Sequence, residues 1–212
     1  MASAFTISPS DVLLVIDVQN DFCPGGLLAV PHGEGVVAPV NRLARRFQHV
    51  VLTQDWHPKG HHSFASSHKG RKPYETIEAG YGEQILWPEH CIQNTFGARL
   101  HGGLSIPCAE LILRKGFRPQ IDSYSAFFEN DRKTPTGLAG YLRERGFSRV
   151  FLAGLAFDYC VRYSAEDALA QGFAAVIVED ACRAMNVAGS LEAAGKSFSS
   201  RAIQLAETNS IL

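Results

Sequence analysis

Short runs of β-branched and aliphatic residues alternate along the chain with longer stretches whose apolar positions recur at helical spacing. DVLLVID (11–17) predicts a buried strand, followed by further strands in HVVLTQ (49–54), AELILRK (109–115), RVFLAG (149–154) and FAAVIVED (173–180). Between them, GVVAPVNRLARRF (35–47) has an apolar helical face and ends in basic residues that suit a helix C-terminus. TGLAGYLRERG (136–146) predicts a helix stopped by Gly146, and residues 158–171 predict another stopped by Gly172. AGSLEAAGKSFSS (188–200) reads as a last helix and AIQLA (202–206) as a sixth strand. Apolar strands separated by helices imply a parallel sheet with both faces covered, an α/β fold of three layers, α/β/α.

Residues 55–108 break this rhythm. They hold no strong periodic element, and a loop of that length inside a compact domain is functional or disordered. Trp56, Phe64, Tyr74, Tyr81, Trp87 and Phe96 argue against disorder. No repeat or linker divides the chain, so residues 1–212 are expected to form one domain.

Bulk composition narrows the function classes. The 212 residues carry a formal net charge of −1, so there is no basic field to attract nucleic acid or an anionic membrane. The run at 12–18 is too short to span a bilayer and contains Asp17, and the N-terminus does not read as a signal peptide. The five cysteines, at 23, 91, 108, 160 and 182, have no paired spacing, which points to free thiols and a cytoplasmic setting.

The strand ends carry the candidate chemistry. In an open α/β sheet, ligands bind beyond the carboxyl ends of the strands, where the strand order switches. The first strand ends at Asp17, the second runs into Asp55 and His57, the third ends at Lys115, and the fourth leads through GLAFDYC to Cys160. Singly, each has an ordinary reading: a turn cap, a hydrogen-bonded loop histidine, a solvated lysine, a small buried thiol. All of them being ordinary at once is improbable. A cysteine at a helix N-terminus, beside a lysine, would have its thiolate stabilised, and a neighbouring carboxylate could move its proton. That set suits cleavage of an amide or similar carbonyl. Four of the eight histidines fall between His57 and His68, a density that raises the question of a metal.

Six ordered blocks then resemble one family: DVQNDFCPGG (17–26), TQDWHPKGHHSF (53–64), LWPEHCIQNTFGA (86–98), RKG (114–116), AGLAFDYCV (153–161) and DACRAMN (180–186). Together they are similar to the nicotinamidases, or pyrazinamidases, among the isochorismatase-like cysteine hydrolases, over roughly residues 11–200. The resemblance implies a six-stranded parallel sheet in order 3-2-1-4-5-6, with Asp17 and Cys160 as neighbours at the switch point. It implies Cys160 as nucleophile, Asp17 as proton carrier and Lys115 as the charged bridge between them. The backbone N–H groups of Ala156 and Cys160 would form the oxyanion hole, beside a cis Leu155–Ala156 peptide. Asp55, His57 and His90 would hold one divalent metal, zinc first, with iron or manganese as alternatives. Phe22, Trp87 and Tyr124 would wall a pocket for nicotinamide, whose ring nitrogen the metal would anchor. The implied reaction is hydrolysis of nicotinamide, and by extension pyrazinamide, through a thioester in the salvage of NAD.

Several positions stand outside that implication. His61 and His62 stay open between a solvated position, which is weighted first, and a supporting one behind the metal ligands. Phe157 replaces a small polar residue and Asn94 a glycine that are commoner in relatives. Cys23, near the pocket mouth, reads as a reactive candidate, Cys91 as packing, and Cys108 and Cys182 as core or loop. Two rival functions remain at this point: an amidohydrolase for carbamoyl or ureido substrates, and a non-catalytic metal or redox-sensing module. A homo-oligomer is left open.

Overall fold

The computed structural model describes residues 4–212. Its elements, in chain order, begin with strand β1 (Asp11–Ile16), helix α1 (Val37–Ala44) and strand β2 (Val50–Asp55). A hairpin of β3 (Thr76–Ala79) and β4 (Gly82–Ile85) follows, then β5 (Ala109–Lys115) and α2 (Leu138–Glu144). The last part holds β6 (Arg149–Leu155), α3 (Arg162–Ala170), β7 (Ala174–Arg183), α4 (Ser190–Arg201) and β8 (Gln204–Ala206).

Six strands form a sheet in the order β5-β2-β1-β6-β7-β8, and every pairing is parallel. Counted within that sheet, the order is 3-2-1-4-5-6, as the resemblance implied. The switch lies between β1 and β6, whose pairing runs from Asp11↔Arg149 to Ile16↔Gly154. A side chain at Gly154 would collide with the backbone of Ile16, which explains glycine at the closest approach of the two strands.

Side chains of each central strand divide between two apolar layers. Leu13 and Val15 join Val40, Leu43 and Phe151 on one face, while Val12, Leu14 and Ile16 join Leu138, Leu142 and Phe198 on the other. This is why β1 reads as a continuous apolar run. The outer strand β5 departs from that expectation: its burial alternates, with Glu110, Ile112 and Arg114 facing solvent. It forms one edge of the sheet.

Helix ends contract or shift relative to the sequence pattern. Helix α1 stops at Ala44 rather than 47 and is preceded by a 3-10 turn at Gly33–Val36. Gly146 and Gly172 do follow the second and third helices, with φ of 75° and 86°, the left-handed conformation that ends a helix. The helix expected from 158 is a π turn (Phe157–Val161) running into α3. Residues 55–108 are not devoid of regular structure either, since the β3–β4 hairpin lies within them.

Candidate active site

Four strand ends converge at the switch point. β2 and β5 pair through to Asp55↔Lys115, so register alone sets these two side chains next to each other. Asp17, one residue past β1, takes φ of 46°. Its N–H donates to Thr53 Oγ1 at 3.1 Å, and that hydroxyl donates back to Asp17 Oδ1 at 2.5 Å. The carboxylate is thereby held rigidly, with no access to water.

Lys115 is the hub. Its Nζ lies 2.9 Å from Asp17 Oδ2, 2.5 Å from Asp55 Oδ1, 2.8 Å from the carbonyl of Ser123 and 3.5 Å from Cys160 Sγ. The side chain is 0% exposed, so one buried ammonium serves two buried carboxylates. Their charges hold Lys115 well above its ordinary pKa although burial opposes this. The structure thus brings Asp17, Lys115 and Cys160 together, as the sequence predicted.

The expected thiolate is a different matter. Burial pushes the Cys160 thiol up, and the nearby Lys115 charge only partly offsets it. Cys160 is 7% exposed and sits inside the π turn rather than at an open helix N-terminus. It is therefore stored as a thiol. Asp17 is also raised, chiefly by burial with a contribution from the Asp55 charge, against the pull of Lys115. A carboxylate with a raised pKa is a stronger base, and so better matched to a thiol proton.

The turn before Cys160 starts at the Leu155–Ala156 bond, which is cis, as the resemblance implied. The carbonyl of Ala156 accepts hydrogen bonds from the N–H groups of Tyr159 and Val161, both at 3.1 Å. Phe157, the unusual residue here, packs edge-on to Phe198 at 5.2 Å and fills space beneath the turn.

Asp55, His57 and His90 come within ligand distance of a common point. His57 Nε2 and His90 Nε2 lie 3.7 Å and 3.9 Å from Asp55 Oδ2. The other imidazole nitrogens are engaged: His57 Nδ1 at 2.8 Å from the Gly116 carbonyl, His90 Nδ1 at 2.9 Å from that of Pro88. Both carbonyls can only accept, so each ring carries its proton on Nδ1 and presents a bare Nε2. His57 Nε2 is buried without any partner, a deficit that a cation would remove. The residues therefore fit a divalent metal. Burial first, and then the neighbouring His57, hold His90 down to about 4, which keeps it neutral and ready to ligate. His57 goes the other way, raised by Asp55 in spite of burial. A side chain at Gly116 would strike the His57 ring, and its φ of 65° is a second reason for glycine there.

Phe22, Trp87 and Tyr124 line a cavity that also touches Asp55, His90, Ala156 and Cys160. Trp87 and Tyr124 pack edge-on against Tyr159 at 5.1 Å and 5.5 Å between ring centroids. The sequence missed Leu28, Asp122, Tyr159 and Met185 in this lining. Tyr159 adjoins Cys160 and was assigned only to its helix; the others come from segments without periodic signal. Gln19 was missed as well. It clamps Asp55 by accepting the Asp55 N–H at 2.8 Å and donating to the Asp55 carbonyl at 2.9 Å.

His61 corrects a sequence expectation. It is 0% exposed rather than solvated, with Nδ1 2.8 Å from Ser63 Oγ and Nε2 2.9 Å from the Arg118 carbonyl. His62 is half-buried. Cys23 is buried and its thiol is pushed up to about 11 by burial and the Glu34 charge, so it is not a reactive thiol. Cys91 and Cys182 are buried and Cys108 is exposed. Asn94 takes φ of 66°, a conformation that asparagine shares with the glycine it replaces.

Comparison with known proteins agrees with this geometry. A model of the Isochorismatase domain matches residues 11–210. The chain belongs to the isochorismatase family. Within that family, a nicotinamidase from Acinetobacter baylyi is 48% identical over 200 residues, 94% of either chain. Among solved structures, a nicotinamidase/pyrazinamidase from Acinetobacter baumanii superposes with a TM-score of 0.94 at 50% identity, covering 95% of this chain and 98% of that one. PnC1 from L. infantum, in complex with nicotinate, gives 0.86 at 37% identity, covering 99% and 98%. A pyrazinamidase from Pyrococcus horikoshii in complex with zinc gives 0.76 at 34%, covering 94% and 99%. Among the described residues, no helix is long and apolar enough to cross a membrane.

Proposed function

We propose that this isochorismatase-family chain is a metal-dependent amidohydrolase converting nicotinamide to nicotinate and ammonia, with Cys160 as nucleophile. The observation that carries the reading is the buried contact of Lys115 with Asp17, Asp55 and Cys160 at the floor of an aromatic cavity. The relatives named nicotinamidase, at up to 48% identity over nearly the whole chain, support the substrate.

Cys160 gives its proton to Asp17 as Sγ attacks the carboxamide carbon, forming a C–S bond and moving the carbonyl π pair onto oxygen. The N–H groups of Ala156 and Cys160 receive that oxyanion. Asp17 passes its proton to the amide nitrogen, the C–N bond breaks, and ammonia leaves a thioester on Cys160. Water, deprotonated by Asp17, then attacks the same carbon; the C–S bond breaks, nicotinate departs and the thiol is restored. Lys115 steadies the charge that moves between Asp17 and Cys160 at each stage. Phe22, Trp87 and Tyr124 hold the ring flat and exclude water. Asp55, His57 and His90 would hold a divalent ion, zinc first with iron or manganese admissible on the same donors, and it would supply Lewis-acid anchoring for the pyridine nitrogen. Pyrazinamide offers the same carboxamide with a ring nitrogen in the same meta position and is the expected second substrate. Such an activity belongs to NAD salvage in the cytoplasm.

Burial of Cys160 weighs against the redox-sensing alternative, because sensor thiols are accessible and of low pKa. The test is ammonia release from nicotinamide, with and without chelator, by the wild type and Cys160→Ala. Undiminished release by Cys160→Ala removes the nucleophile assignment, and indifference to chelation removes the anchoring role.

A further inference from the structure

The β3–β4 hairpin, invisible to the periodicity of the sequence, delivers one polar side chain to the back of the aromatic cavity. Gln84 is 1% exposed, and its carboxamide is saturated with partners. The two N–H groups of Nε2 are shared among three acceptors: Asp122 Oδ2 at 2.9 Å, the Tyr124 hydroxyl oxygen at 3.2 Å and the Ile85 carbonyl at 2.6 Å. Oε1 accepts from the Tyr81 hydroxyl at 2.9 Å and from Asn130 Nδ2 at 3.2 Å. The orientation of the amide follows from chemistry: the Ile85 carbonyl only accepts, so the NH2 must face it, and it then faces Asp122 and Tyr124 too.

Tyr124 is fixed from a second side. Trp87 Nε1 donates to the same hydroxyl oxygen at 3.1 Å, and the Tyr124 N–H donates to Asn130 Oδ1 at 2.9 Å. With two donors on its oxygen, the hydroxyl has both lone pairs engaged and its ring cannot swing without breaking buried hydrogen bonds. The part of the cavity wall that Tyr124 forms is thus held by a residue that does not itself line the cavity.

We propose that Gln84 is a positioning residue for substrate binding, acting through Tyr124 to hold the wall against which the substrate ring lies. The inference rests on the nicotinamide reading above. Gln84→Met keeps the length of the side chain and removes every hydrogen bond. It is expected to raise KM for nicotinamide roughly tenfold, the worth of one or two buried hydrogen bonds, with kcat within about twofold of the wild type. In a Tyr124→Phe background the same substitution is expected to add little further rise, because the hydroxyl it acts through is gone. A purely structural role would instead lower Tm and active fraction, leaving KM unchanged and its effects additive with Tyr124→Phe. Should Gln84→Met not fold, Tyr81→Phe loosens the same amide from the other side, with an expected KM rise of about two- to threefold. Unchanged KM in whichever variant folds, alongside an active wild type, overturns the proposal. A wild type that releases no ammonia from nicotinamide overturns the activity reading and this inference with it.

Discussion

Replacing Lys115 by methionine is the sharpest perturbation of the site, because a single ammonium holds two carboxylates out of water. Asp17 is 0% and Asp55 5% exposed, and Lys115 lies 2.9 Å from one and 2.5 Å from the other. Removing one partner from a buried ion pair costs on the order of 3–5 kcal/mol, and here two partners are stranded. The least costly escape is protonation of Asp17, whose pKa is already raised by burial with Lys115 present. That escape gives the cost a pH signature. With the folded pKa of Asp17 raised further, the folded variant binds more protons than its unfolded chain. Its stability is then retained at low pH and lost as pH rises through the folded value. Metal-free Lys115→Met should therefore melt roughly 10 °C below the metal-free wild type at pH 8, with the gap narrowing toward pH 5. A protonated Asp17 is no base, so ammonia release should fall about 100-fold or more at every pH. Adding Asp17→Asn to Lys115→Met removes one stranded charge and should recover part of the Tm but none of the activity. The assay is a set of calorimetric melts from pH 5 to 8 on all three proteins, paired with ammonia release. A Lys115→Met variant with a wild-type melt at pH 8, or one that keeps its turnover, would show that the ammonium is not compensating these carboxylates.

Cys160→Ala should abolish ammonia release while lowering stability by only about 1 kcal/mol, since it removes one small buried atom; a melt lowered far beyond that would confuse folding with chemistry. Stripping divalent ions should reduce turnover and substrate affinity, and zinc titrated into the stripped protein should raise Tm with concentration; a flat Tm would contradict a site at Asp55, His57 and His90. His57→Ala should remove that metal-dependent rise, because it deletes the donor left bare and buried. Cys182, away from the site, is pushed up to about 12 by burial. A thiol raised in the folded state lends stability that is complete below its unfolded value and lost as pH climbs. Urea unfolding of the wild type should accordingly weaken between about pH 9 and 11 faster than that of Cys182→Ala, by roughly 1.4 kcal/mol per pH unit. Parallel slopes would place Cys182 in contact with water.

The legible parts of the chain were those where burial and charge leave a local mark. Strands β1, β2 and β6 are covered on both faces, so they read as continuous apolar runs, and a charged residue at such a run's end stands out as Asp17 and Asp55 do. Lys115 was found the same way, although its own strand is an edge. The hairpin was not legible, because TIEA and GEQI carry few apolar residues and their burial follows no clean alternation. Its one fully buried side chain, Gln84, is polar. His61 escaped for a related reason: its imidazole is satisfied by backbone carbonyls of Arg118 and Ile121, and backbone partners leave no trace in side-chain pattern. Spacing shows which charges lie near Cys160 but not how much water is lost there, and burial outweighs Lys115.

Asp55 joins the two halves of the site in a way that neither half announces. One carboxylate oxygen takes the Lys115 ammonium at 2.5 Å, while the other faces the His57 and His90 nitrogens at 3.7 Å and 3.9 Å. The pairing of β2 with β5 makes the first contact unavoidable, and the long excursion between those strands brings His90 to the second. Charge on the imidazole side of Asp55 therefore bears on the ammonium side. Asp55, His57 and His90 would hold a cation there, and its charge would lower the carboxylate's hold on Lys115 and leave more of that ammonium's field for Asp17 and Cys160. Burial makes this transfer effective, since buried charges are screened far less than exposed ones. A metal at this position would thus act on the nucleophile through one rigid carboxylate as well as on whatever ligand it binds directly.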